Sequence, residues 1–416
     1  MLTVIPGTIR FVTLRVTGRS ATRWHHLDRR LVTLALWLLC VLLPSRAYAL
    51  DVGDEGSLAS MKVHAFVSQG FILTIGNDYL AENSTNGSFE FSEVGINFTK
   101  NLTDRLRVGI QLFAQDLGPR GNYSAKMDWF YLDYRWQDWL GLRAGRLKIP
   151  YGLHNEVQDV DSARVPVLLP PSVYPLQTRE ILFAQTGAEL YGFARLGSFG
   201  ALDYRLFGGT IFLDADSLTP PAAPFELDFH VPYVVGGRLL WETPLAGLRA
   251  GGSVQAVRLD TTVFIPGMDD VAIENDSLLW VGSLEYGLRD LVLTLEYSRW
   301  KAKQRSDNDM ISPPIDEQSE RGYVMATYRL MPWLQPGAYY SLLFPNIDNR
   351  EGRENQQHEV ALTLRFDINP HWLVKLEGHY MVGTAGLVNP LRINPVDIST
   401  ADKHWAALFA KTTAYF

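Results

Sequence analysis

The stretch Leu106-Arg107-Val108-Gly109-Ile110-Gln111-Leu112-Phe113-Ala114-Gln115 decides the fold. Successive side chains of an extended strand point to opposite faces. Here Leu106, Val108, Ile110, Leu112 and Ala114 share one face, while Arg105, Arg107, Gln111 and Gln115 share the other. A continuous greasy face backed by a charged one fits a strand with lipid on one side and a wet lumen on the other. The alternation returns with Val360, Leu362, Leu364 and Phe366 against Glu359, Thr363, Arg365 and Asp367. It returns at Leu291, Leu293, Leu295 and Tyr297 against Thr294, Glu296 and Ser298, and at Val374, Leu376, Tyr380 and Val382 against Lys375, Glu377 and His379.

Between such stretches the connections fall into two classes. Short turns are expected near residues 101–103, 136–139, 197–200, 243–247, 287–290, 331–334 and 367–370, and several hold the Gly, Pro, Asn or Asp that tight turns require. Long polar loops are expected over about 76–88, 116–125, 149–184, 213–231, 259–277, 301–321, 345–357 and 384–402. Seven turns and eight loops join sixteen strands, and an even count puts both termini on the turn side. The expected fold is all-β: a transmembrane, antiparallel, up-and-down β-barrel of about 16 strands, with long extracellular loops and short periplasmic turns. A soluble sandwich alternates as well. Its strands, however, run to about 5–6 residues, against roughly 10–14 here.

Residues 10–30 hold several arginines, Leu31 to Leu43 is apolar, and Ala47-Tyr48-Ala49 follows. A basic stretch, a short greasy core and a small-x-small site describe a cleaved signal peptide over residues 1–49. The barrel is expected over 50–416. Cys40 is the only cysteine and leaves with the leader, so the mature chain has no disulfide and no thiolate ligand or nucleophile. The whole chain has 38 basic and 45 acidic residues; without the seven arginines and one aspartate of the leader, 31 face 44, a balance of −13. This argues against a nucleic-acid partner. After Leu50 no apolar run approaches the length of about 20 residues that a membrane helix needs.

Aromatic placement agrees with a barrel. Trp136, Trp139, Trp241, Trp333 and Trp372 sit at or beside the expected short turns, where a periplasmic girdle lies at headgroup depth. In the last strand Ala406, Leu408, Ala410, Thr412, Ala414 and Phe416 share a face. A final strand ending in Phe416 resembles the signal by which the barrel-assembly machinery recognises such proteins.

The longest connection follows Gly145-Arg146-Leu147-Lys148-Ile149-Pro150-Tyr151-Gly152-Leu153. Glycines permit unusual backbone geometry and Pro150 ends a ladder because it cannot donate. A strand ending there can release a long loop inward, anchored by His154, Glu156, Asp159, Asp161, Arg164 and Arg179. The stretch resembles the GR-x-K-x-P-x-G segment of the phosphate-selective porins, the porin O and P family. That resemblance implies a sixteen-stranded trimer whose third loop narrows the lumen. Phosphate selection needs a dense cationic track. The inward set here is mixed: Arg105, Arg107, Arg143, Arg205, Arg249, Arg329, Arg365 and Lys375 against Asp203, Glu296, Glu359, Asp367 and Glu377. Phosphate specificity is therefore not carried over. Arg143, Arg146 and Lys148, at the root of the loop, are the leading constriction candidates, with Arg105, Arg107, Glu156, Asp159, Asp161, Arg164 and Arg365 beside them.

The expected function is a passive outer-membrane porin for small hydrophilic solutes or ions, homotrimeric by resemblance, with no cofactor, metal or catalytic residue. Acidic loops such as Asp214, Asp216, Glu226 and Asp228, or Asp260, Asp269, Asp270, Glu274 and Asp276, either meet lipopolysaccharide through divalent cations or are simply solvated. Two alternatives stay in view. A non-channel barrel (receptor or adhesin) suits long loops and a plugged lumen. A barrel hydrolase needs a nucleophile and base together; seven scattered histidines fall in no such motif.

Overall fold

Chains whose connections alternate between tight turns and long loops pair each strand antiparallel with its sequence neighbours. The computed structural model describes residues 50–52, 61–118, 121–176, 179–213, 225–387 and 400–416. The expected leader, Asp214, Asp216 and most of the loop expected at 384–402 lie outside them. A short β1 (Leu50–Val52) precedes β2 (Met61–Ile75), β3 (Phe91–Asn101), β4 (Leu106–Leu117), β5 (Lys126–Gln137) and β6 (Leu140–Lys148). There follow β7 (Ala184–Arg195), β8 (Ala201–Thr210), β9 (Glu226–Glu242), β10 (Leu248–Phe264), β11 (Val271–Leu288) and β12 (Leu291–Ser306). The last are β13 (Ile315–Tyr328), β14 (Leu334–Phe344), β15 (Gln357–Asn369), β16 (Trp372–Gly383) and β17 (His404–Tyr415).

Each strand from β2 to β17 pairs with the next, and β17 pairs back onto β2 from Ala406↔Ile75 to Tyr415↔Phe66. The sheet closes on itself and leaves no edge. It is the sixteen-stranded antiparallel up-and-down barrel that the alternation implies. At the seam the N–H of Phe416 donates to the Ala65 carbonyl, and the N–H of Ala65 to the Phe416 carbonyl, both at 3.0 Å. The outward face is a belt of exposed Leu112, Leu132, Leu206, Leu239, Leu293, Leu362 and Leu408. Trp136, Trp139, Trp241, Trp333 and Trp372 ring the short-turn rim with exposed indoles.

The wall is not uniform. β6 has 9 residues and β11 has 18. The loops expected at 259–277 and 301–321 are much shorter than that, because β10 continues to Phe264, β11 starts at Val271, β12 continues to Ser306 and β13 starts at Ile315. Asp260, Glu274 and Asp276 therefore stand on strands. Beyond the apolar belt neither face is greasy, so the greasy-against-charged signal fades while the backbone ladder goes on.

Candidate functional site

The site begins where β6 stops. Gly145 has φ +138° and Gly152 φ +57°, conformations that side chains other than glycine's rarely adopt. After Pro150 the chain folds into the barrel. Ile149, Tyr151, Leu169, Val173 and Tyr174 pack against inward-facing Leu279, Val281, Tyr323, Met325 and Tyr339. Val167 and Leu168 pack in the cluster of Ile72, Phe91, Met381, Trp405 and Phe409.

Polar anchors fix this segment all the way round. The N–H of Leu153 donates to Glu296 at 2.9 Å, and the hydroxyls of Tyr174 and Tyr323 donate to the same carboxylate. The N–H groups of Val167 and Leu168 donate to Glu377 at 2.7 and 2.9 Å. His379 bridges Glu377 and Glu359 at 2.9 and 2.6 Å. Asp161 meets Arg164 at 2.9 Å, Lys411 at 2.8 Å and Lys375 at 3.5 Å. Burial alone would raise the Asp161 carboxyl, but Lys375, Lys411 and Arg164 hold it well below the usual carboxylate range. Burial acts the same way on Asp159, and Lys148 and Arg179 overcome it. Lys148 reaches Asp159 at 2.6 Å, and Gln111 donates to that carboxylate at 2.8 Å.

A second set of charges forms a row across one wall. Arg107 on β4 meets Asp133 on β5 at 2.8 Å; Arg143 on β6 meets Asp133 at 3.3 Å and Glu189 on β7 at 3.2 Å. Arg205 on β8 and Arg238 on β9 both hold Glu156 of the inward segment, at 2.6 and 2.9 Å. The register explains the row: Arg107 is opposite Asp133, Asp133 opposite Arg143, and Arg143 opposite Glu189. The Arg143 guanidinium also lies 4.1 Å from the centre of the Tyr191 ring.

The sequence candidates thus separate. Arg107, Arg143, Lys148, Glu156, Asp159, Asp161 and Arg164 all join these networks. Arg365 does too, donating to the Ser162 and Arg164 carbonyls at 2.8 and 3.2 Å while pairing with Asp367. Arg105 does not. It lies exposed in the turn before β4, where the N–H groups of Leu102 and Thr103 bond to the Leu106 carbonyl. Its carbonyl accepts from the Arg135 N–H at 2.8 Å, one step beyond the Leu106↔Tyr134 pair. Arg146 stands opposite Phe130, and its Nε donates to the Asp128 carbonyl at 2.8 Å. Asp133, Glu189, Arg238 and Lys411 were not singled out. Their strand parity marks them as inward, but nothing local marks the partners they meet.

No protein-family model matches this chain, and no curated protein does. Solved structures do. OmpT of Vibrio cholerae aligns at 11% identity and a TM-score of 0.51, over 88% of this chain and 100% of that one. An anion-selective porin from Comamonas acidovorans aligns at 12% and 0.51, over 86% and 99%. OmpF of Salmonella typhi, in a complex with daunomycin, aligns at 12% and 0.50, over 88% and 100%. At such identities the likeness concerns the fold, which is that of bacterial outer-membrane barrels with sixteen strands.

Proposed function

We propose that the chain is a bacterial outer-membrane diffusion channel for small hydrophilic solutes or ions, narrowed by the segment 149–184. One observation carries this reading: the two charged walls differ in their contact with water. The Arg107, Arg143 and Arg205 side chains are 40%, 20% and 16% exposed, with their partners Asp133 and Glu189 at 5% and 2%, whereas Lys375, His379 and Lys411 are 0%. A segment closing the whole cross-section would bury both walls alike. The hydrated wall from β4 to β9 is the aqueous path, and its alternating signs suit weak ion preference better than a phosphate track. Arg205 and Arg238 hold Glu156 of the inward segment beside it.

The likeness of the fold to an anion-selective porin is in keeping with a channel. The buried His379 has both ring nitrogens on glutamates, and one of these, Glu377, also takes the N–H groups of Val167 and Leu168. A homotrimer, recognition of Phe416 by the assembly machinery, and contact with lipopolysaccharide complete the reading. A non-conducting receptor or adhesin is the second reading, favoured by the apolar packing of the inward segment on both walls. The test is single-channel recording of refolded protein in a planar bilayer, with reversal potential under a salt gradient. Steady conductance steps support the channel; a silent bilayer with folded protein supports the receptor.

A further inference from the structure

β12 carries two surfaces in succession on its outer face. Leu291, Leu293 and Leu295 lie in the lipid belt, and the same parity continues through Tyr297, Arg299, Lys301, Lys303 and Arg305. The strand has 16 residues. At about 3.3 Å per residue and a tilt near 40° it rises roughly 40 Å, well above an apolar band of about 25 Å. The boundary is marked: Trp280 and Tyr297 meet with ring centroids 5.7 Å apart, as an interfacial girdle requires. Immediately above this pair, on the long-loop side, the four cations climb the wall two residues apart, at headgroup depth.

Their partners within the protein hold them weakly. Lys301 and Lys303 share one carboxylate, Asp316, at 3.9 and 3.5 Å, and are 48% and 45% exposed. Arg305 stands opposite Glu274, which already binds Arg258 at 2.6 Å. Arg299 takes the Tyr297 hydroxyl at 2.9 Å, and the nearby Glu320 is bound by Arg350 at 2.6 Å. Exposed pairs of this kind are weak and exchange readily for a better anion. Phosphate is one: arginine grips it through two N–H groups and lysine as a point charge.

We propose that Arg299, Lys301, Lys303 and Arg305 form a binding strip for the phosphorylated headgroup of a glycolipid in the surrounding outer leaflet. This rests on the outer-membrane reading above. It assigns the lipid contact to cations on a strand rather than to acidic loops bridged by metal ions.

The test uses the full mature barrel, refolded in detergent and checked for insertion into phosphatidylcholine vesicles, which depends on the apolar belt alone. It is then titrated with lipid A bearing both phosphates and with the same lipid dephosphorylated, with bound lipid counted by native mass spectrometry. The expected result is binding of the phosphorylated form only, weakened at least tenfold in a variant carrying Arg299→Gln, Lys301→Gln, Lys303→Gln and Arg305→Gln, and weakened likewise by high salt. Equal binding of both lipids, or unchanged binding by the variant, overturns the strip. Failure of the native chain to insert overturns the membrane reading instead.

Discussion

Asp161→Asn is the sharpest perturbation of the inward segment. Asp161 is the counter-charge for two lysines whose side chains are 0% exposed, and Thr413 also donates to it, at 2.7 Å. The amide keeps the shape and removes the charge. Lys411 retains Glu93 at 2.6 Å, but Lys375 keeps only backbone carbonyls, of residue 161 at 2.8 Å and of Pro166 at 3.3 Å. Breaking a buried ion pair by removing one partner costs about 3–5 kcal/mol. The barrel ladder does not depend on this segment, so the loss appears as local opening. At about 1.4 kcal/mol per tenfold, amide hydrogen exchange across 160–170 accelerates at least 100-fold or so. The Val167 and Leu168 amides, held by Glu377, report it. Thr413→Val loses two hydrogen bonds, to Asp161 and, within the wall, to Ser68 at 2.9 Å; only the first, of about 1 kcal/mol, holds the segment, so the change in exchange should be only several-fold. Unchanged exchange in Asp161→Asn, with the barrel intact, refutes the claim that this carboxylate anchors the segment.

Gly152→Ala forces a side chain into a left-handed backbone position and against the Tyr174 hydroxyl and Glu296. It should cost about 1–3 kcal/mol locally, seen as faster proteolysis within 149–184 and not as a lower barrel melting temperature. Asp159 and Asp161 are held below their ordinary value of 3.8, so their anchoring is complete above that pH and is lost as pH falls through the lowered values. Exchange across 155–165 should match at pH 7 and pH 5, after correction for intrinsic rates, and rise only in stronger acid; release by pH 5 would contradict the assignment. Deleting Phe416 removes both seam hydrogen bonds to Ala65, and the yield of heat-modifiable, assembled barrel should fall severalfold.

Most of the barrel is legible because lipid imposes a strict period of two. Strands such as Leu106–Leu117 and Gln357–Asn369 declare their parity residue by residue. Where both faces are polar, as at Lys301 to Ser306, that constraint lapses and strands read as loops. The inward segment is half legible. Gly145, Pro150 and Gly152 mark its start, and its acids mark anchors. The partners of those anchors do not show, because Asp161 meets Lys411 across 250 residues of chain and only closure of the barrel brings them together. Arg105 shares the parity of Arg107 but lies exposed in the turn before β4, a boundary that the period of two does not mark.

The central claim is an aqueous path beside the inward segment along the arginine wall. Cys40 is the only cysteine of the sequence, so in protein expressed from residue 50 Arg205→Cys introduces the only thiol. Single-channel current of this variant should drop in discrete steps when a charged thiol reagent is added to the bath, while Ser298→Cys, on the buried wall, stays unmodified. A folded barrel that conducts nothing, or whose current is unaffected by confirmed labelling at residue 205, contradicts the path.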